Sequence, residues 1–238
     1  MSQERSYKTT IKIPQLPKVA LVHGDLSVEE NPALDLLRKA VEEAVAERSG
    51  SVNSTYLDCH GRRHRAWISA HTADFKRGVG LTINEEGRVG FHYDSATAVN
   101  EEQPELAGQV RFIYDRADTA RQLCADIVSR YVTLAAKRAL GSLQCTVRIE
   151  TTEEQRASRP MIRGTDSSGR ERVLSVGPQG EVYVDFRGFT ANDCVSAERA
   201  LRERFAAFGL ELETTWHRLK NVAAPAGFSN SSRTEVGA

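Results

Sequence analysis

The densest set of chemically capable side chains is the stretch "DCHGRRHRAWISAH", Asp58 to His71, which holds Cys59, His60, His64 and His71 together with Arg62, Arg63 and Arg65. Three chemistries compete for it. A zinc site would draw on Cys59, His60 and His64, but their spacing follows no standard ligand pattern. A nucleic-acid surface would use the arginines on phosphates and Trp67 as a stacking platform. The third reading is a solvated hairpin whose arginines protect a strand edge. If the strand runs unbroken from Arg63, alternation puts Arg63, Arg65, Trp67, Ser69 and His71 on one face, with Ala66, Ile68 and Ala70 on the core face.

Elsewhere the chemistry is thinner. The sequence contains no GxSxG, HExxH or Walker-type lysine loop. Glu85 and Glu86 sit at a turn tip, where a carboxylate is too well solvated for general-acid work. His92 and Asp94 share a strand parity, as do Tyr183 and Asp185, and such pairs are ordinary solvent-face neighbours unless their surroundings perturb them. His217 follows Trp216 near the end of the last expected strand. The reading leans to a non-enzymatic protein, with no catalytic residues, no metal and no cofactor assigned, and a metal-assisted enzyme around Cys59, His60 and His64 stays open as a third alternative.

The elements that position these residues come in a repeated order. "NPALDLLRKAVEEAVAERSG" predicts a helix capped by Asn31, opened by Pro32 and stopped at Gly50, with Leu34, Leu37, Val41 and Val45 on one face. "SVNSTYLDC", "RHRAWISAH", "GVGLTIN" and "RVGFHYD" then predict a four-stranded antiparallel meander. A short strand "VALVHGDL" from Val19 precedes the first helix.

The second half repeats this order. "VRFIY" from Val110 precedes a helix from about Asp118 to Leu140, with Gly141 as its stop, and four more short strands ending in "EVYVDFR". The two hairpin glycines, Gly87 in "NEEGRVGFHYD" and Gly180 in "GPQGEVYVDFR", lie about ninety residues apart, as do the two helix stops. Both glycines read as the last residue of a tight hairpin turn at positive φ. A phosphate loop would run into a helix instead. A final helix, "NDCVSAERALRERFAAFG", presents Ala197, Leu201, Phe205 and Phe208, and "LELETTWHRL" predicts a last strand.

This organisation predicts an α+β protein of two related modules, each an antiparallel β-meander with helices packed on one face. The expected division is a first module over 7–95, a linker over 96–108, a second module over 109–220 and a disordered tail over 221–238. The 32 basic and 32 acidic residues balance, which argues against broad phosphate binding. The four cysteines lack short metal-ligand spacing, and nothing at the N-terminus resembles a signal peptide. No apolar run approaches the roughly 18 residues of a membrane span. A cytoplasmic protein with reduced thiols and no membrane association is expected.

From Gly180 to Leu201 the chain resembles a bacterial family known as domain of unknown function 2997, through Gly180, Val182, Val184, Gly188, Phe189, Cys194 and Ala197. From about Tyr7 to Asp94, "GRRHRAWIS" and "VGLTINEEGRVGFHYD" resemble the conserved chloroplast reading frame 35 family, or domain of unknown function 1257. The resemblance implies a fusion of two small proteins over most of 7–220. It departs from the families in the acidic linker, the extra tail and the missing aromatic ending of the first. Neither family has established catalytic residues. Related genes often neighbour AAA+ ATPase genes, so the resemblance implies such an ATPase as partner.

The functional expectation is an accessory or adaptor protein that binds a protein partner through the uncovered sheet faces. The expected binding surface is Arg63, Arg65, Trp67 and His71 in the first module, with Tyr183 and Arg187 in the second. The alternative is a nucleic-acid-binding module in which the paired sheets form a saddle.

Overall fold

A computed structural model describes residues 2–11, 31–94, 96–100, 110–114, 117–150 and 160–220. The strand expected from Val19, most of the linker and the tail from Asn221 lie outside the described residues.

The first helix, α1 (Pro32–Ala46), starts where Asn31 accepts the backbone N–H groups of Ala33 and Leu34, satisfying donors that the first turn leaves free. Its face of Leu34, Leu37, Val41 and Val45 is buried, widened by Leu36, Ala40 and Ala44. The left-handed residue that ends it is Ser49, at φ 49°, and not Gly50 as expected. Gly50 instead permits a close approach of backbone, since a Cβ there would lie 2.1 Å from the carbonyl oxygen of His71. Strands β2 (Ser51–Leu57), β3 (Arg63–His71), β4 (Val79–Ile83) and β5 (Val89–His92) follow and pair in chain order as an antiparallel sheet.

The second helix, α2 (Ala117–Ser142), runs one residue past Gly141, and Gln144 at φ 58° takes the left-handed position expected of that glycine. It leads into β8 (Thr146–Glu150), β9 (Met161–Thr165), β10 (Glu171–Val176) and β11 (Val182–Arg187), again a meander. Helix α3 (Ala191–Ala207) is capped by Thr190, whose Oγ1 accepts from Asp193 N, and buries Cys194, Ala197, Leu201 and Phe205. Phe208, the fourth residue of the expected face, is half-buried. Phe189 packs inward at the corner between β11 and α3, edge-on to Phe186 and flanked by the guanidinium groups of Arg170 and Arg172, each 4.8 Å from its ring.

The larger sheet has six strands, in the order β12-β1-β11-β10-β9-β8, where β1 is Ser2–Ile11 and β12 is Leu210–Lys220. Residues 7–11, expected to open the first module, thus lie in the middle of the second sheet, in a strand antiparallel to both β11 and β12. Tyr7 and Ile11 on β1 are buried in the core. A separate pair, β6 (Ala96–Asn100) with β7 (Val110–Tyr114), forms from residues expected as linker and as the strand before α2.

The fold is α+β. Helix α1 packs on β2 and β3 and against α2, while α2 packs on β8, β9 and β10 and against α3. Ion pairs join the two long helices: Arg48 with Asp126, Arg130 with Glu47, and Arg138 with Asp35 at 3.9 Å. The helices therefore lie between two separate sheets, around one continuous apolar core.

Four hairpin turns share one geometry. In Asp58–Arg62, Asn84–Arg88, Asp166–Arg170 and Gly177–Glu181 the first residue donates N–H to the fifth residue's carbonyl, and the fourth, a glycine, donates back to the first. That glycine has φ between 75° and 84° each time, a conformation costly for other residues. In the first three turns the Asp or Asn side chain also accepts the N–H groups of the third and fifth residues. The repeated phrase is hairpin chemistry.

Candidate functional site on the four-stranded sheet

Strand β3 is irregular at its centre. Asn53 pairs with Ser69 and Thr55 pairs with Arg65, so Ala66 to Ile68 on β3 stand opposite Ser54 alone. A bulge of this kind resets which side chains face which way. Trp67 turns toward α1, packs at the margin of the core and lies under the Arg38 guanidinium, 5.5 Å from the ring centroid. Ile68 and Ala70 are buried.

His71 is occupied as well. Its Nε2 lies 2.8 Å from the Thr55 carbonyl oxygen and 3.1 Å from Ser69 Oγ, and its Nδ1 lies 2.9 Å from the Lys76 carbonyl oxygen. Gly78 sits flush against the ring, where a Cβ would come within 2.5 Å. The ring pins the outer half of the β2–β3 hairpin to the loop before β4, a closure extended by the Leu57 N–H donating to the Arg77 carbonyl.

The four expected anchors of the first module are therefore not one surface. Arg63 and Arg65 are exposed, paired opposite Leu57 and Thr55, while Trp67 faces the helix and His71 is a clasp. Tyr183 and Arg187 lie on β11 of the other sheet. Arg187 donates to Asp185 at 2.9 Å and approaches Glu171 at 4.0 Å, beside Arg163, which bridges Glu171 and Glu150. Trp216 and His217 fall on β12, opposite Ser6 and Arg5.

On the outer face of the small sheet the structure assembles different residues. Tyr56 lies over Gly80, where a Cβ would meet its ring at 2.3 Å, and beside Ala66. Its ring is near-parallel to those of His64, 5.4 Å away at 27°, and His92, 6.4 Å away at 25°. His64 Nε2 contacts Asp58 at 3.0 Å, and His92 Nε2 contacts Thr82 Oγ1 at 2.7 Å. The tip of the hairpin is tied down where Cys59 N donates to Asp94 Oδ2 at 2.9 Å.

The result is a cleft of about 290 Å³ lined by Tyr56, Asp58, His64, Phe91, His92, Tyr93 and Asp94. Its electrostatics follow from its contacts. The hydrogen bond from His64, with further help from the turn's N–H groups and Arg62, brings the Asp58 carboxyl down to about 2. The hydrogen bond to Asp94 pushes the Cys59 thiol up, so that thiol is a poor nucleophile at neutral pH. Burial pushes Cys124 up to about 12 and raises Cys145 and Cys194. Among the described residues no three His, Cys, Asp or Glu side chains converge as a metal site, and no helix is long and apolar enough to cross a membrane.

Tyr56, Thr82, Phe91 and Tyr93 were not among the expected surface residues. The signal for Tyr56 was Gly80 inside a strand, since an interior glycine marks a close approach by another group. Compared with protein-family models and with curated proteins, the chain matches none.

Proposed function

We propose that this chain is an accessory or adaptor protein that engages another protein through the outer face of its four-stranded sheet. An AAA+ ATPase is the partner class implied by the family resemblance. The observation that carries the reading is the pinned cleft around Tyr56. It is solvent-facing, lined by rings and carboxylates, and braced from behind by a sheet whose other face is sealed by α1. Rings with a polar tip are the side chains that protein interfaces favour as anchors.

The test is affinity capture of the tagged full-length protein from its own host, with and without ATP, beside a Tyr56→Ala variant. Recovery of a specific protein by the wild type and its loss in the variant is the expected result. Capture of no specific protein by the wild type overturns the reading.

One observation favours nucleic acid as a second reading: His64, Tyr56 and His92 are near-parallel rings, the kind of side chain on which bases stack. On this reading the outer face of the four-stranded sheet is the part of the expected saddle that carries the rings. It predicts probe mobility that depends steeply on salt and weakens in Tyr56→Ala, with Arg63→Ala/Arg65→Ala testing whether exposed arginines on the opposite side of β3 also hold phosphates. Unchanged mobility at low salt removes it.

A further inference from the structure

We infer that the cleft around Tyr56 is a receptor for an arginine side chain presented by the partner protein. This deepens the adaptor reading and rests on it for the identity of the protein that supplies the arginine.

Three features of the cleft select that chemistry. The first is size: at about 290 Å³ it suits one long side chain, being at the lower end of small-molecule pockets. The second is the near-parallel set of rings, His64, Tyr56 and His92, with Tyr56 seated on Gly80. A planar, weakly hydrated guanidinium stacks on such faces, whereas a compact, strongly hydrated ammonium does so less well.

The third is charge. Asp58 and Asp94 both line the cleft, and the Cys59 backbone holds the second beside the turn that carries the first. Their carboxylates accept a forked guanidinium and repel a phosphate chain or an acidic peptide. That separates an arginine from a nucleotide, which the rings alone do not.

The cleft already hosts weaker versions of this contact. Arg62 Nε approaches Asp58 at 3.5 Å with its side chain 73% exposed, and His64 contacts the same carboxylate. An exposed pair of that kind is worth little on its own. An incoming guanidinium therefore replaces a loose internal cation with one that also covers the rings.

The test is a two-dimensional amide NMR titration of the full chain with N-acetyl-arginine amide, up to about 10 mM because a single side chain binds weakly. The expected result is saturable shifts confined to residues 56–58 and 91–94, with affinity at least about tenfold lower in Asp94→Asn. His92→Ala, which leaves both carboxylates and the turn in place, keeps the test valid if Asp94→Asn does not fold, and is also expected to weaken binding.

Shifts produced equally by N-acetyl-glutamine amide, or stronger shifts with uridine monophosphate, overturn the inference. So does an unshifted spectrum at the highest concentration. The free probe needs no partner, so the two readings fail separately. Specific capture without a response to the probe sinks the arginine site alone, and a response without capture sinks the adaptor reading alone.

Discussion

Tyr56 packs the Cδ1–Cε1 edge of its ring on Gly80, in a contact so close that a single added methyl group would sit 2.3 Å from Cδ1. The glycine is thus part of the candidate site, because it sets the height of the ring that His64 and His92 flank. In Gly80→Ala the ring must lift, since the clash is with a side chain that can move. The expected cost is about 1–3 kcal/mol, typical of overpacking. Loss of the ring-current shifts of His64 and His92 should accompany it, checked by urea denaturation and proton NMR. An unchanged spectrum would show that Tyr56 does not rest there.

The same hairpin depends on His71 as its clasp. In His71→Ala the carbonyls of Thr55 and Lys76 lose the ring that lies between them, for an expected loss of about 1–3 kcal/mol. Gly78→Ala attacks the clasp from the other side. It forces alanine to φ 83° and drives a Cβ against the imidazole, and the backbone part alone costs about 1–2 kcal/mol. Because both changes disturb one ring, the double variant should lose clearly less than the sum. Additive losses in denaturation midpoints would mean that the ring does not couple the two segments.

What can be read from the sequence follows from what is local. The helices are legible because Leu34, Leu37, Val41 and Val45 write a helical stripe, and the hairpins because an Asp or Asn starts a turn that a glycine closes. The destination of β1 is not legible, since alternation in "SYKTTI" states that a strand exists and not which strands flank it. The expected surface dissolves at one point, where alternation assumes an unbroken strand. Trp67 and Ile68 are adjacent apolar residues within an alternating segment, and that pair is the trace of the bulge. Gly50 and Gly141 read as helix stops, but the left-handed turns fall on Ser49 and Gln144.

Asp58 offers a direct electrostatic check. Its folded-state pKa of about 2 lies below the ordinary 3.8, with the His64 contact as the largest cause. A depressed carboxyl contributes stability that is present above the ordinary value and is lost as pH falls through about 2. In His64→Ala the Asp58 carboxyl should titrate closer to 3.8 in a carbon-13 NMR experiment. An unchanged titration would assign the shift to the turn N–H groups instead.

Thiol chemistry reports on the mouth of the cleft. Cys59 is the half-exposed cysteine whose thiol is raised chiefly by Asp94, so Asp94→Asn should lower its pKa and speed its reaction with iodoacetamide at neutral pH. Cys145 and Cys194 are buried and should stay slow in both proteins. Mass mapping of the alkylated cysteines checks this. Equal rates at Cys59 would mean that Asp94 does not control the thiol.

The N-terminal strand makes the last prediction, because β1 is an interior strand of a sheet that otherwise belongs to the far end of the chain. Removing residues 1–11 separates β11 from β12, strips the ion pair of Arg5 with Glu198 on α3, and should abolish cooperative unfolding of that half. Tyr7 allows a finer test. Its ring is almost fully buried under the Arg202 guanidinium, and its buried hydroxyl has no hydrogen-bond partner among the described residues. Burial raises its pKa to about 12. Tyr7→Ala should therefore cost about 3–5 kcal/mol through lost packing. Tyr7→Phe keeps the packing and removes an unsatisfied hydroxyl, so it should be neutral or stabilise by about 1 kcal/mol. If Tyr7→Phe proves as damaging as the alanine variant, the hydroxyl has a partner and β1 is held by polar contacts as well as by its ring.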